Sequence, residues 1–221
     1  TTEALVTITP KANSTNFTGT WEENYSITKI ANTIGNPSIE GWTYGDVPND
    51  PTVSNPTYGT AYFVYSTLEN SGYTTTVPTN AGTYYVKAKV DEGDNYLGCE
   101  SEPIPFTISK LTIKVDFGGT GETINDVYYK VYNATYDGNS KASLINYSIT
   151  SDGNALKDEL ANLFNFNTNV KLYSSYNFIS GSNYQTAVDA GEYYYKFELT
   201  EEQENNFAIS SSSNVLALLR I

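Results

Sequence analysis

Ala81-Gly82-Thr83-Tyr84-Tyr85-Val86-Lys87-Ala88-Lys89-Val90 is the stretch whose reading decides the fold. From Thr83 onward the chain alternates. Tyr84, Val86, Ala88 and Val90 share one face, and Thr83, Tyr85, Lys87 and Lys89 share the other. A period of two belongs to a strand with one face in a core and the other in solvent. The order returns at Ala190-Gly191-Glu192-Tyr193, where Tyr193, Tyr195, Phe197 and Leu199 face inward and Glu192, Tyr194, Lys196 and Glu198 face outward. With 20 Tyr in 221 residues, and Asn, Asp, Gly and Pro clustered between short alternating runs, the composition predicts an all-β fold.

The two strands belong to copies of one hairpin. The middle copy runs from Ala81 through Asn95-Tyr96-Leu97-Gly98 to Phe106-Thr107-Ile108-Ser109-Lys110. An earlier copy runs from Ala4 to Thr9, through Asn16-Phe17-Thr18-Gly19, to Tyr25-Ser26-Ile27-Thr28-Lys29, about 80 residues upstream. The late copy reaches Asn206-Phe207 and closes in Val215-Leu216-Ala217-Leu218-Leu219. Ahead of the hairpins, Phe63-Val64-Tyr65-Ser66 matches Lys171-Leu172-Tyr173-Ser174, whereas Tyr44-Gly45-Asp46 and Tyr136-Asp137-Gly138 lie closer together in the chain. The second module therefore carries an insertion. It falls at residues 154–164, where Leu156, Leu160, Leu163 and Phe164 recur at helical spacing behind a Ser151 or Asp152 cap, predicting one short amphipathic helix.

These repeats divide the chain into a terminal hairpin at 1–30, a module at 31–110 and a longer module at 111–221. The hairpin reads as the closing strands of a preceding repeat, with Ala4, Val6, Ile8, Phe17 and Tyr25 inward. Ile108-Ser109-Lys110 leads straight into Leu111-Thr112-Ile113, so a stiff junction is expected.

Gly41-Trp42-Thr43-Tyr44-Gly45-Asp46, Pro51-Thr52, Tyr58-Gly59-Thr60, Val77-Pro78-Thr79-Asn80-Ala81-Gly82-Thr83-Tyr84 and Phe106-Thr107-Ile108-Ser109-Lys110 form a connected pattern. In this pattern the chain resembles the tandem all-β repeats (MBG and YDG types) of bacterial cell-surface proteins and adhesins. Residues 135–199 match more weakly, through Thr135-Tyr136-Asp137-Gly138 and Asp189-Ala190-Gly191-Glu192-Tyr193. The resemblance implies a secreted or wall-attached extracellular protein whose modules space or bind rather than catalyse, with neighbouring repeats of the same polypeptide as partners. It supplies no ligand. Tandem immunoglobulin-like sandwiches would also explain Tyr84 and Tyr193, whose hydroxyls could bond back to the Ala-Gly turn, although Tyr could equally fill an inward strand position. A β-grasp fold is the alternative, with residues 154–164 as its helix.

Charge and composition exclude several functions. Twenty-five acidic and twelve basic residues leave a net charge of −13, the reverse of a nucleic-acid footprint. No apolar run reaches the roughly 18 residues of a membrane helix, so no membrane insertion is expected. The sequence has neither a starting Met nor a signal peptide and reads as a soluble piece of a longer chain. Without His, and with Cys99 alone, Ser-His-Asp and Cys-His catalysis, disulfides and thiolate metal clusters are ruled out.

The remaining chemistry is weak. Cys99 sits beside Glu100 and Glu102 and lacks the electropositive surroundings of a reactive thiol. Paired carboxylates could serve a glycosidase, but the acids lie in polar turns without an apolar surround. Alternation turns Lys114 outward, away from the buried acid an isopeptide bond would need. Asp91-Glu92-Gly93-Asp94-Asn95 and Glu201-Glu202-Gln203-Glu204-Asn205 are oxygen-rich, yet the matching Lys11-Ala12-Asn13-Ser14-Thr15 has no carboxylate, so they read as solvated hairpin tips rather than calcium loops. No catalytic, cofactor or metal residues are assigned. Of the Tyr pairs Tyr84-Tyr85, Tyr128-Tyr129 and Tyr193-Tyr194, one member should lie on the surface. Tyr85 and Tyr194 are therefore the candidate ligand contacts, for a glycan or a host protein. The expected function is a non-enzymatic structural or adhesive module, with a carbohydrate-recognition accessory of an extracellular enzyme as the alternative.

Overall fold

The computed structural model describes residues 2–16, 18–173, 178, 181–183 and 187–221. The chain is 43% strand and 8% helix, with several sheets and three short helices, which is the expected all-β class. Strands β1 (Thr2–Ile8), β2 (Trp21–Ile27), β3 (Trp42–Thr43), β4 (Tyr62–Ser66), β5 (Gly82–Val90), β6 (Cys99–Glu100) and β7 (Ile104–Ser109) come first. They are followed by β8 (Leu111–Phe117), β9 (Thr120–Ile124), β10 (Val127–Asn133), β11 (Tyr147–Ser151) and β12 (Asn154–Ala155). Helices α1 (Asp158–Ala161) and α2 (Phe166–Asn169) precede β13 (Val170–Tyr173), β14 (Gly181–Asn183) and β15 (Glu192–Phe197). Helix α3 (Glu201–Asn206) runs into β16 (Phe207–Ile209), and β17 (Leu216–Arg220) comes last.

The chain divides into two compact units. The first comprises Thr1–Glu40, Asn49–Pro78 and Thr83–Phe106. The second comprises Gly41–Pro48, Thr79–Gly82 and Thr107–Ile221.

In the first unit β4 and β5 pair antiparallel, Tyr65 opposite Val86 and Phe63 opposite Ala88. The far end of β5 pairs with β6, Val90 opposite Cys99. Val86, Ala88 and Val90 are buried, the alternation read from the sequence, and Val64, Tyr65 and Phe106 are buried as well. The Tyr65 and Tyr84 rings lie 6.1 and 5.8 Å from that of Phe106. Each fully buried aliphatic side chain of this kind contributes about 1.5–3 kcal/mol.

The β1–β2 hairpin is a separate two-stranded sheet, with Ile8 opposite Trp21 and Thr2 opposite Ile27. Its residues are almost all exposed. Phe17, expected on its inward face, lies outside the described residues. The chain is fastened just past the hairpin. Ile30 N–H donates to Asn95 O at 3.0 Å, Leu97 N–H donates to Ile30 O at 2.9 Å, and Lys29 pairs with Glu92.

In the second unit a six-stranded sheet, ordered β14-β13-β15-β17-β10-β9, and a four-stranded sheet, ordered β12-β11-β8-β16, contribute to one core. Ile113, Val115 and Phe117 enter it from β8, Tyr195 and Phe197 from β15, Ala217 and Leu219 from β17, and Phe207 from β16. Both sheets are mixed, because β10 runs parallel to β17 and β16 runs parallel to β8. The apolar run of β17 is buried on both faces. Its Leu218, with Tyr129 and Val131 of β10, forms a second cluster on the far side of the sheet. This burial on two faces is what a continuous apolar strand demands.

The helical expectation needs correction. Leu156, Leu160 and Phe164 do pack on the core, but Leu163 is exposed and helix occupies only Asp158–Ala161. Asn154–Ala155 is instead a strand against β11. The cap position is Lys157, without a side-chain bond, rather than Ser151 or Asp152. Among the described residues the module has three short α-helices, not one, and Glu201–Asn205, expected to be an acidic hairpin tip, lies in helix α3. Among the described residues no helix is long and apolar enough to cross a membrane. Lys114 is exposed, as alternation required.

Because the hairpin buries so little, a chain beginning at Lys29 should fold cooperatively and melt within a few degrees of the parent. Scanning calorimetry checks this. Loss of the cooperative transition would assign β1 and β2 an indispensable place in the first unit.

Candidate functional site

The stretches Gly41–Pro48 and Thr79–Gly82 belong to the second unit. Tyr44 N–H donates to Ser109 O at 2.8 Å, continuing the parallel pairing of β3 with the second half of β7, in which Trp42 faces Ile108. That pairing projects the Tyr44 ring edge-on against Phe207, with centroids 5.2 Å apart. Gly45 follows at φ +85°, a left-handed conformation that suits glycine. A Cβ there would lie 2.6 Å from Leu160 Cδ1. Lys157 Nζ donates to Gly45 O at 2.7 Å and stands 4.0 Å from the Asp46 carboxylate. The Asn80-Ala81 turn is held alongside. Ala81 N–H donates to Asn206 Oδ1 at 2.8 Å, and Asn206 Nδ2 donates to Asn80 Oδ1 at 3.3 Å.

Helix α3 presents Asn206 and Phe207, and its own anchoring explains how six residues stay helical. Thr200 Oγ1 accepts from Gln203 N–H at 3.2 Å while Gln203 Oε1 accepts from Thr200 N–H at 2.9 Å, a reciprocal capping box. The other end of the buried Gln203 amide donates to Leu163 O at 2.7 Å. Asn169, also buried, donates to Gln203 Oε1 and Glu198 O. A buried amide left without such partners would cost about 1–3 kcal/mol, so this network fixes the helix as a unit. Thr200-Glu201-Glu202-Gln203 carries the capping-box signature, the signal by which α3 could have been found in the sequence.

Tyr44, Asn80, Leu163, Thr200, Gln203 and Phe207 line a groove of about 570 Å3. Its lining combines the Tyr44 and Phe207 rings, the Asn80, Gln203 and Asn206 amides and the Glu201 and Glu202 carboxylates.

The carboxyls whose pKa is clearly displaced are all lowered. The Lys29, Lys87 and Lys141 ammoniums hold Glu92, Glu100 and Asp137 below the ordinary range. Burial pushes Glu198 up, but Lys196 and the Tyr173 hydroxyl outweigh it. A glycosidase acid needs the opposite shift. Among the described residues no group of three or more Asp, Glu or Cys side chains is arranged to hold a metal.

Tyr85 belongs to the first unit, half-buried opposite Ser66 of β4. Tyr194 belongs to the second and is also half-buried. Its ring meets Tyr129 at 6.0 Å, and its hydroxyl donates to Glu192 Oε2 at 2.6 Å. It faces the second apolar cluster rather than open solvent, because β10 and β17 send Tyr129, Val131 and Leu218 to the same side. The turn bond expected of Tyr193 is present, its hydroxyl donating to Asp189 O at 2.9 Å.

Tyr136 corresponds to Tyr44 in sequence, but strand register differs by two residues. Ala134 N–H donates to Arg220 O as Tyr44 N–H does to Ser109 O, so Tyr136 falls beyond the pairing and is exposed. Comparison with family models, with curated proteins and with solved structures returned no significant match.

Two measurements follow. Asn206→Ala removes the acceptor for Ala81 N–H and should destabilise the chain by about 1–2 kcal/mol. Gly45→Ala should cost about 1–3 kcal/mol through backbone strain, whereas Glu202→Ala on the exposed side of α3 should be neutral in the same denaturation series. The second concerns Tyr194. Its hydrogen bond to Glu192, together with burial, raises its pKa to about 12, and the same bond, assisted by Arg220, lowers that of Glu192. The stabilisation is therefore complete between the ordinary values of 4.5 and 10.0. It fades below the first as the carboxylate protonates and above the second as the phenol ionises. Tyr194→Phe should lower the melting temperature at neutral pH, and the difference should shrink at about pH 3. An unchanged difference would mean the bond is not to a carboxylate.

Proposed function

We propose that this chain is a pair of tandem immunoglobulin-like β modules from a secreted or wall-attached bacterial surface protein, acting without catalysis to space or present a binding region. The observation that carries the reading is the use made of the motif residues. Tyr44, Gly45, Asp46, Asn80 and Ala81 make these hydrogen-bond, ion-pair and ring contacts within the second unit. Motifs of catalytic proteins position reacting groups, whereas these fasten one stretch of a repeat to the next.

The strand pattern supports the same conclusion. In both repeats the closing strand pairs parallel with an early strand, β7 with β3 and β17 with β10. In both, the preceding hairpin strand takes an antiparallel neighbour, β4 on β5 and β13 on β15. A β-grasp module would need a helix long enough to be wrapped by a sheet, and the helices here have four to six residues. The downward-shifted carboxyls favour the non-enzymatic reading over an enzyme accessory with its own acid.

The purified chain should turn over no polysaccharide, peptide or ester, and a glycan and host-protein array should separate presentation from carbohydrate recognition. Binding to a defined glycan class that weakens tenfold or more in Tyr85→Ala or Tyr194→Ala, at unchanged stability, would favour the carbohydrate module. Turnover abolished by one carboxylate substitution would defeat the non-catalytic reading.

A further inference from the structure

The β1–β2 hairpin has one largely apolar face and one largely polar face. Register places Ala4, Val6 and Ile8 with Trp21, Tyr25 and Ile27 on the first, together with Thr2 and with Glu23 opposite Val6, and Glu3, Leu5 and Thr7 with Glu22, Asn24 and Ser26 on the second. The larger apolar side chains are between 42% and 59% exposed. Their repeat counterparts tell what is missing. Val86, Ala88, Phe106 and Ile108 stand about 80 residues later in the same pattern and are at most 6% exposed.

The counterpart strands are flanked in a recurring way. β5 carries β4 on its outer edge, and β15 carries β13, each antiparallel. β1 is the equivalent strand, and its only partner among the described residues is β2. Its outer edge among the described residues is thus an unpaired row of amides and carbonyls beside an exposed apolar face.

We propose that β1 is an acceptor edge for one strand of another repeat, of the β4 type, which adds antiparallel and places its alternate apolar side chains beside Val6 and Ile8 on the same face. The ligand is an extended segment like Tyr62-Phe63-Val64-Tyr65-Ser66, bound by main-chain hydrogen bonds and by alternate side chains, the physics of strand addition. It would extend a pairing that the fold already makes twice. The inference deepens the repeat-module reading and rests on it.

The test titrates the intact chain with a peptide of residues 61–67 carrying lysine tails for solubility, read by calorimetry and by amide exchange. Saturable binding is expected, with exchange slowed about tenfold or more at alternate amides of β1. A peptide of the same composition without the alternation should not bind. Val6→Lys should abolish binding, and Leu5→Lys, on the opposite face, should preserve it. β1–β2 protection in each variant without peptide shows whether the hairpin persists, and if Val6→Lys loses it the two-peptide comparison in the unsubstituted chain decides. No saturable binding, or equal binding by the control peptide, overturns the proposal. So does self-association through the hairpin that the peptide does not compete, since the occupant would then be a second copy. Failure here removes the acceptor edge alone, because the spacer reading falls only on turnover or on specific glycan binding.

Discussion

The second unit depends on one constraint: the Asn206 amide must meet the Asn80-Ala81 turn while Phe207 meets Tyr44. Both contacts issue from the last residue of α3 and the first of β16, so the helix end fixes two turns at once. The buried Gln203–Asn169 pair is what makes this possible, since it turns six helical residues into a rigid platform. Helices this short do not persist on their own propensity. The capping box and the buried amides supply the missing stability, and the motif turns are positioned as a consequence.

One strand arrangement occurs twice: β7 runs parallel to β3, and β17 runs parallel to β10. β17 also pairs antiparallel with β15, which places it between two neighbours. Its Leu-Ala-Leu-Leu is buried on both faces, and a second apolar cluster follows from it. A register difference of two residues at Ala134 places Tyr136 beyond the position equivalent to Tyr44, and Tyr136 is exposed.

The strands of residues 83–90 and 192–199 were legible because a one-sided core enforces a period of two, and a slip of one residue would reverse every side chain. Tyr194 was misread as facing solvent. The contrary signal lay elsewhere in the chain, in Val215-Leu216-Ala217-Leu218-Leu219, whose unbroken apolar run demands partners on both sides. Residues 154–164 misled in the other direction. Apolar residues at helical spacing can reach a core from irregular backbone as well as from helix, and here Leu156 and Phe164 do so on either side of the single helical turn that carries Leu160. The role of Tyr44-Gly45-Asp46 was not readable at all, since a motif's contacts lie far away in sequence.

Native-state amide exchange tests the central claim most directly. If the motif turns are bound into the second unit, the Tyr44 and Ala81 amides should exchange with the opening free energy of Ile113 and Val115 in β8, and Asn206→Ala should release Ala81 selectively. Exchange of Ala81 at an unprotected rate, or in step with Val86 and Ala88 of β5 and unaffected by Asn206→Ala, would contradict the account.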